Sequence, residues 1–424
     1  MTSFPMVLLS KESADRIEGW GASWGIFNAR SSEAEGLLVV SGISRKEGMR
    51  LPAPSTWESG HFLHYADEIP GIGCWYRVNP ELTELHRPVM NRDASLTVDG
   101  FKQHIIGGWR LPTADRSMPV LTYSADADGP ARWSLWWVSQ AEARPGSMEL
   151  VAGRAPLDFL EGAWPVSDLA QRRAVVIGVG SIGAVVAESL ASYAVGRIDL
   201  VDPDRLVEHN LVRHRLGARD LGRLKVNAMA EHLEARFPGV IVGRHPLNVV
   251  YAADQIRPLF AASDVVVGAT DGVVSRRVIN HLARRADVPA VLACVLESGA
   301  LGEVVRVRPG AGCLLCLRTH LTEIGAVDPE PGLDQDYEMG TPHLPMTAVA
   351  GDLGLIGILA AKAAVATLLE QTGHWEQRLP GDVAVVGLQP VPDVAPPFDL
   401  ERTGDVRWSP MVASRPDCPT CAAA

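Results

Sequence analysis

From residue 174 onward the chain alternates short apolar runs with longer segments whose apolar positions recur every three or four residues. AVVIG (174–178), RIDLVD (197–202), VIVGRHPL (240–247), DVVVGAT (264–270), AVLACVL (290–296) and GEVVRVRP (302–309) have the length and β-branched content of strands. Between them, 183–195, 222–237, 252–261 and 273–286 carry helical periodicity. This alternation predicts βαβ units with right-handed crossovers, and so an α/β fold with a doubly wound, mostly parallel Rossmann-like sheet. A further segment, 346–370, is rich in Gly and Ala; it predicts a helix that packs closely against another helix or subunit.

The first 155 residues follow a different pattern. They hold eight of the 11 tryptophans, few long helical periods and turn signals such as PAPS, ADADGP and ARPGS. An N-terminal α+β domain with an antiparallel or mixed sheet is expected over 1–155, and the Rossmann-like domain over 156–424.

Composition narrows the class. A chain of 424 residues with 47% hydrophobic content can bury a sizeable core, and a net charge of −11 argues against non-specific nucleic-acid binding. Every apolar run of about 18 residues is interrupted by a charge or turn signal, and MTSFPMVLLSKESADRI has no basic lead-in or cleavage site. The expectation is a cytoplasmic protein without a membrane or nucleic-acid partner. Four of the six cysteines form two pairs about a hundred residues apart, Cys313 with Cys316 and Cys418 with Cys421. Two Cys-x-x-Cys knuckles supply the four thiolates of a tetrahedral Zn2+ site. A dithiol redox pair and unliganded thiols are the alternatives. Cys74 and Cys294 lie in apolar runs and read as small buried hydrophobes.

The candidate chemistry begins at the first strand. Gly178, Gly180 and Gly183 follow it in GVGSIG, a turn that brings backbone amides and a helix N-terminus close to a phosphate. NAD, flavin and nucleotide-activating enzymes all use such a turn. Nineteen residues after Gly183, Asp202 ends the second strand, where a carboxylate accepts hydrogen bonds from a ribose. The chain continues through Asp204, Asn210 and Arg213 to Lys225. An Asn, Arg and Lys set suits an anionic phosphoryl centre, for which hydride transfer has no use. Asp271, at the end of the fourth strand, suits Mg2+ on a nucleoside triphosphate. Each also has a plainer reading: turn or cap residues for Asp202, Asp204 and Asp271, and solvated charges for Arg213 and Lys225.

The ordered set GVGSIG, DPDRLVEHNLVRH, GRLK, TDGVVSR, CLLC and CPTC resembles the ThiF/MoeB/HesA branch of the ubiquitin-activating enzyme superfamily, over about residues 165–421. The resemblance implies an adenylyltransferase: ATP, Mg2+ and the C-terminal carboxylate of a ubiquitin-like or sulfur-carrier protein, or of a peptide, give an acyl-adenylate and pyrophosphate. By position, Gly178, Gly180, Gly183, Asp202 and Asp204 would hold the nucleotide. Asn210, Arg213 and Lys225 would bind the phosphates, Asp271 would hold Mg2+, and the four paired cysteines would hold Zn2+. A homodimer is also implied.

Three departures accompany the match. His214 stands where the family usually has Gln, 157–173 lacks the helix that lends an arginine to the partner subunit, and 317–345 contains no cysteine. Adenylation without a thioester from that loop is therefore expected. A nicotinamide or flavin oxidoreductase and a non-catalytic scaffold are the rival readings. In the N-terminal domain, EAEGLLVVSG and TELHRPVMNRDASLTVDG faintly resemble the JAB/MPN isopeptidase pattern, with Leu85 and Arg87 in place of its two histidines. A degenerate conjugating-enzyme-like domain and an unrelated recognition domain are the alternatives there.

Overall fold

The structure is a computed structural model that describes residues 4–32, 34–45, 51–52, 67–111, 115–125, 130–151, 156–296, 299–327, 348–389 and 394–422. The chain divides into two compact units, Met1–Arg154 and Ala155–Ala424.

The first unit is built on one mixed sheet. Its strands are β1 (Met6–Ser10), β2 (Trp24–Ser32), β3 (Leu37–Arg45), β4 (Leu51–Pro52), β5 (Asp67–Arg77), β6 (Leu96–Thr97), β7 (Met118–Ser124), β8 (Arg132–Val138), β9 (Glu142–Gly146) and β10 (Met148–Val151). They run in the order β10-β1-β3-β2-β5-β7-β8-β9-β6, with β4 on β3. The β1 pairings with β10 and β3, and β5 with β7, are parallel, and the others antiparallel. Helix α1 (Lys11–Gly19) starts where the Ser10 hydroxyl accepts from the Ser13 amide, and α2 (Pro80–Asn91) and α3 (Val98–Lys102) follow. Aromatic side chains fill the core, with Phe27, Trp75, Tyr76 and Trp136 fully buried. Of the stretch with the isopeptidase-like spacing, 83–91 lies in α2 and the rest runs through β6 into α3; Leu85 is exposed, and the His86 ring donates to the Leu135 carbonyl at 2.9 Å.

The second unit is the Rossmann-like one. Strands β11 (Arg173–Ile177), β12 (Arg197–Val201), β13 (Ile241–His245), β14 (Val265–Gly268), β15 (Ala290–Leu296), β16 (Leu301–Val307), β17 (Val383–Gly387) and β18 (Val406–Ser409) lie in the order β13-β12-β11-β14-β15-β16-β17-β18. The first five are parallel and ordered as a doubly wound sheet, so the chain reverses direction across the sheet between β11 and β14. The strand expected at 302–309 pairs antiparallel with β15 instead of continuing the parallel series. The link from Leu296 to Leu301 is far shorter than the dozen or so residues a parallel crossover requires, so a hairpin is the available connection.

Helices cover both faces. They are α4 (Val166–Leu169), α5 (Ser181–Ser192), α6 (Lys225–Arg236), α7 (Ala253–Ala261), α8 (Val273–Ala286), α9 (Leu314–Glu323) and α10 (Ala350–Gln371). The two-residue period of a strand sorts the core: Ala174 and Val176 pack with α5, α6 and α10, while Val175 and Ile177 pack with α7, α8 and α9. Helix α10 lies so close to α5 that a Cβ on Gly357 would stand 2.8 Å from Val185 Cβ. Contrary to the sequence expectation, α10 is long and apolar enough to cross a membrane, with mean hydropathy 1.8, but 67% of that window is buried within the unit. It is placed as a core helix. The loop expected beyond Cys316 is shortened by α9, and 328–347 lies outside the described residues.

Candidate functional site

The turn from β11 into α5 sits at the carboxyl edge of the sheet, at its point of reversal, where open α/β sheets bind ligands. Its glycines do different work. Gly178 has φ +87°, and a Cβ there would meet the Ala269 carbonyl oxygen at 2.6 Å. At Gly183 a Cβ would stand 1.7 Å from the Gly178 carbonyl oxygen, so only glycine lets the helix seat on the turn. Around Gly180, the N-cap of α5, a Cβ would meet nothing within 4 Å. No side chain caps α5 and its first turn carries no acid, so the positive end of the helix dipole meets no side-chain acceptor there.

Asp202 is buried beneath this turn. One carboxylate oxygen accepts from the Val179 amide at 2.6 Å and the other from the Asp204 amide at 2.8 Å. Burial pushes its carboxyl above the ordinary range, against the pull of Lys225 and these two amides. Lys225, the first residue of α6, places Nζ 2.8 Å from the exposed carboxylate of Asp204 and 4.0 Å from Asp202. Asn210 closes a short 3-10 turn, Glu208–Asn210, by accepting from the Val207 amide at 3.3 Å, and the Arg213 amide bonds to the Asn210 carbonyl at 3.0 Å. Asp271 is exposed just beyond the carboxyl end of β14, next to Gly272, the N-cap of α8.

His214, which the sequence marks as a departure and as a local structural or nucleotide-adjacent group, takes part in the turn through its ring. Nδ1 accepts from the Leu216 amide at 3.1 Å, so Nε2 carries the proton and donates to the Val179 carbonyl at 2.8 Å. Burial lowers its pKa.

A second group, beyond Asp271, had no local signal. The Cys294 thiol on β15 lies 3.0 Å from a nitrogen of the buried Arg276 guanidinium, and its β16 register partner is Glu303. Glu303 in turn pairs with Arg318 on α9 through both carboxylate oxygens. Cys294 is buried as expected, and burial pushes its thiol up to about 11. Cys74 is fully buried in the first unit, where burial also raises its thiol.

The paired cysteines converge. Cys313 and Cys418 sulfurs are 3.6 Å apart, Cys316 and Cys421 3.7 Å, and Cys313 and Cys316 3.9 Å. A tetrahedron with zinc–sulfur bonds of about 2.3 Å has edges of about 3.8 Å, so the four sulfurs fit one Zn2+. These separations are far beyond a disulfide bond. The Arg415 amide donates to Cys316 Sγ at 3.4 Å, as the outer partner of a thiolate ligand does.

In the segment before the turn, Arg172 pairs with Asp264 at 3.0 Å and Arg173 with Asp199 at 2.7 Å, both within the unit. Asp199 is fully buried and also takes Arg197 at 3.0 Å and His245 at 2.9 Å.

Residues 158–380 match the ThiF family. An uncharacterized protein, y4oA, of Sinorhizobium fredii is 26% identical over 72% of this chain and 56% of its own length. The sulfur carrier protein ThiS adenylyltransferase of Bacillus subtilis is 30% identical over 39% of this chain and 49% of its own. The chain thus spans about half the length of these two relatives. A crystal structure of Escherichia coli MccB with ATP aligns with a TM-score of 0.44 and 18% identity, covering 60% of this chain and 68% of MccB.

Proposed function

Because this chain belongs to the ThiF family, we propose that its second unit adenylates the C-terminal carboxylate of a ubiquitin-like or sulfur-carrier protein, or of a peptide. The observation that carries the reading is that an uncapped helix N-terminus follows β11, with Lys225 and Asp271 following its parallel neighbours β12 and β14. The name of the B. subtilis relative supports a carrier protein as the acyl donor.

In this reading the substrate carboxylate attacks the α-phosphorus of ATP, and pyrophosphate leaves. The amides around Gly180 receive phosphate oxygens. Lys225, held by Asp204, exchanges that partner for a phosphate, and Asn210 and Arg213 complete the polar wall against the leaving group. Asp202 fixes the turn through the Val179 and Asp204 amides. Asp271 offers a hard carboxylate oxygen, suited to Mg2+, which would neutralise the phosphates. Cys313, Cys316, Cys418 and Cys421 would hold a structural Zn2+ that ties α9 to the C-terminal segment. Its role is structural because all four donors are protein thiolates.

ATP–pyrophosphate exchange with candidate carrier proteins and peptides tests the proposal. Exchange that disappears in Lys225→Ala and Asp271→Ala supports it. Absence of exchange with every candidate favours a non-catalytic scaffold, and NAD(H) bound more tightly than ATP favours an oxidoreductase.

A further inference from the structure

We infer that His214 is a positioning residue for the phosphate-binding turn: with Asp202 it clamps Val179 from two sides, and thereby aims the Gly180 amide at the nucleotide. The inference rests on the adenylation reading above.

The geometry follows from the planarity of the peptide. Asp202 accepts the Val179 amide at 2.6 Å, and His214 donates to the Val179 carbonyl at 2.8 Å. Both peptide units flanking Val179 are fixed, although Val179 itself offers only an apolar side chain. In a trans peptide the carbonyl of one residue and the amide of the next point in opposite directions. The Asp202 bond therefore turns the Gly178 carbonyl away from Asp202 and toward Gly183, where a Cβ would clash with it at 1.7 Å. By the same rule the His214 bond turns the Gly180 amide away from His214. It lies in a turn with room around its α-carbon, where a Gly180 Cβ would meet nothing within 4 Å. An amide turned away from His214 at a helix N-terminus that no side chain caps is suited to donate to a phosphate.

The clamp requires neutral His214. The Leu216 amide points at Nδ1 at 3.1 Å, so a proton placed there opposes two donors and releases the ring's anchor. Lys225 opposes that protonation and Asp220 favours it. Asp202 lies across the Val179 peptide, with Asp204 next to Lys225. The amide of glutamine reproduces both bonds: its nitrogen donates to Val179 and its oxygen accepts from Leu216, without a titratable proton.

The experiment is calorimetric titration of the full chain with Mg·ATP from about pH 5 to about pH 8, the range in which histidine charges change, for wild type, His214→Gln and His214→Leu. At neutral pH, His214→Gln should bind within about threefold of wild type, and His214→Leu roughly five- to tenfold more weakly, the equivalent of one hydrogen bond. On acidification the ratio of wild-type to His214→Gln affinity should fall, because protonation of ATP itself affects both proteins and cancels. The inference is overturned if folded His214→Leu binds as wild type does, or if His214→Gln binds as weakly as His214→Leu. Wild type that binds no ATP at any pH overturns the adenylation reading, and this inference with it; binding without variant effects overturns this inference alone.

Discussion

Lys225 Nζ stands 2.8 Å from Asp204 and 4.0 Å from Asp202, so the ammonium at the start of α6 is held between two carboxylates at the end of β12. A nucleotide phosphate arriving at the α5 N-terminus competes with Asp204, whose side chain is 64% exposed, for a charge already desolvated on the protein side. Lys225→Ala should therefore lower the rate of pyrophosphate exchange by about 100- to 1,000-fold, the usual cost of removing one donor to a developing charge. Its Tm should fall only modestly, since Asp204 remains solvated and buried Asp202 keeps its two amide donors. Exchange that persists at wild-type rate in this variant would place the phosphates elsewhere.

The three glycines separate folding from binding. Gly183→Ala brings a Cβ within 1.7 Å of a backbone carbonyl and should destabilise the second unit by several kcal/mol, read as a lower Tm. Gly180→Ala has room in the structure and should unfold at nearly the wild-type temperature, yet its methyl group occupies the space a phosphate would need. A matched Tm with at least about tenfold weaker ATP binding is expected, about 1.4 kcal/mol.

The four-cysteine cluster predicts one zinc per chain by metal analysis of the purified protein. Cys418→Ser should lose the metal and lower Tm, because the ion joins segments about a hundred residues apart in sequence. Prolonged chelation of wild type should reproduce the shift, and added Zn2+ should reverse it. A metal-free protein with unchanged Tm in both forms would refute a structural zinc.

Asp199 predicts a pH dependence. Burial raises its pKa, but hydrogen bonds from Arg197, His245 and Arg173 outweigh burial and hold the carboxyl below its ordinary value of about 4. A depressed folded-state value stabilises the fold above the ordinary value, and that contribution is lost as pH falls through it. Asp199→Asn leaves Arg173 and Arg197, both partly exposed, without their carboxylate, and should cost roughly 1.5–3 kcal/mol at neutral pH, the scale of a hydrogen bond to a charged group. Denaturant unfolding should show wild-type stability dropping below about pH 4 with a shallower drop in the variant.

Much of the second unit was legible because its apolar periods switch between two and about 3.6, and because glycines at fixed offsets mark a strand-to-helix turn. Those signals located β11 to β15, the helices between them, and the turn at Gly178. They also placed Asp202, Lys225 and Asp271 beside strand ends and helix starts, which order along the chain alone can do. The antiparallel return of β16 was missed, since the run 302–309 looks the same whichever way it pairs. Periodicity reports which side of a segment meets the core, and is silent on its neighbour.

By itself, then, the sequence determined the βαβ series, the phosphate-type turn and the presence of two cysteine knuckles, all properties of residues close together in the chain. Only the tertiary structure decided that the four knuckle sulfurs come within 4.8 Å of one another, that Cys294 faces Glu303 and Arg276, and that Asp202 and His214 grip Val179 from both sides. These relationships join residues distant in sequence, and the last is made through backbone amide and carbonyl groups. Such groups are the same at every position, so no residue type at 179 could have announced it.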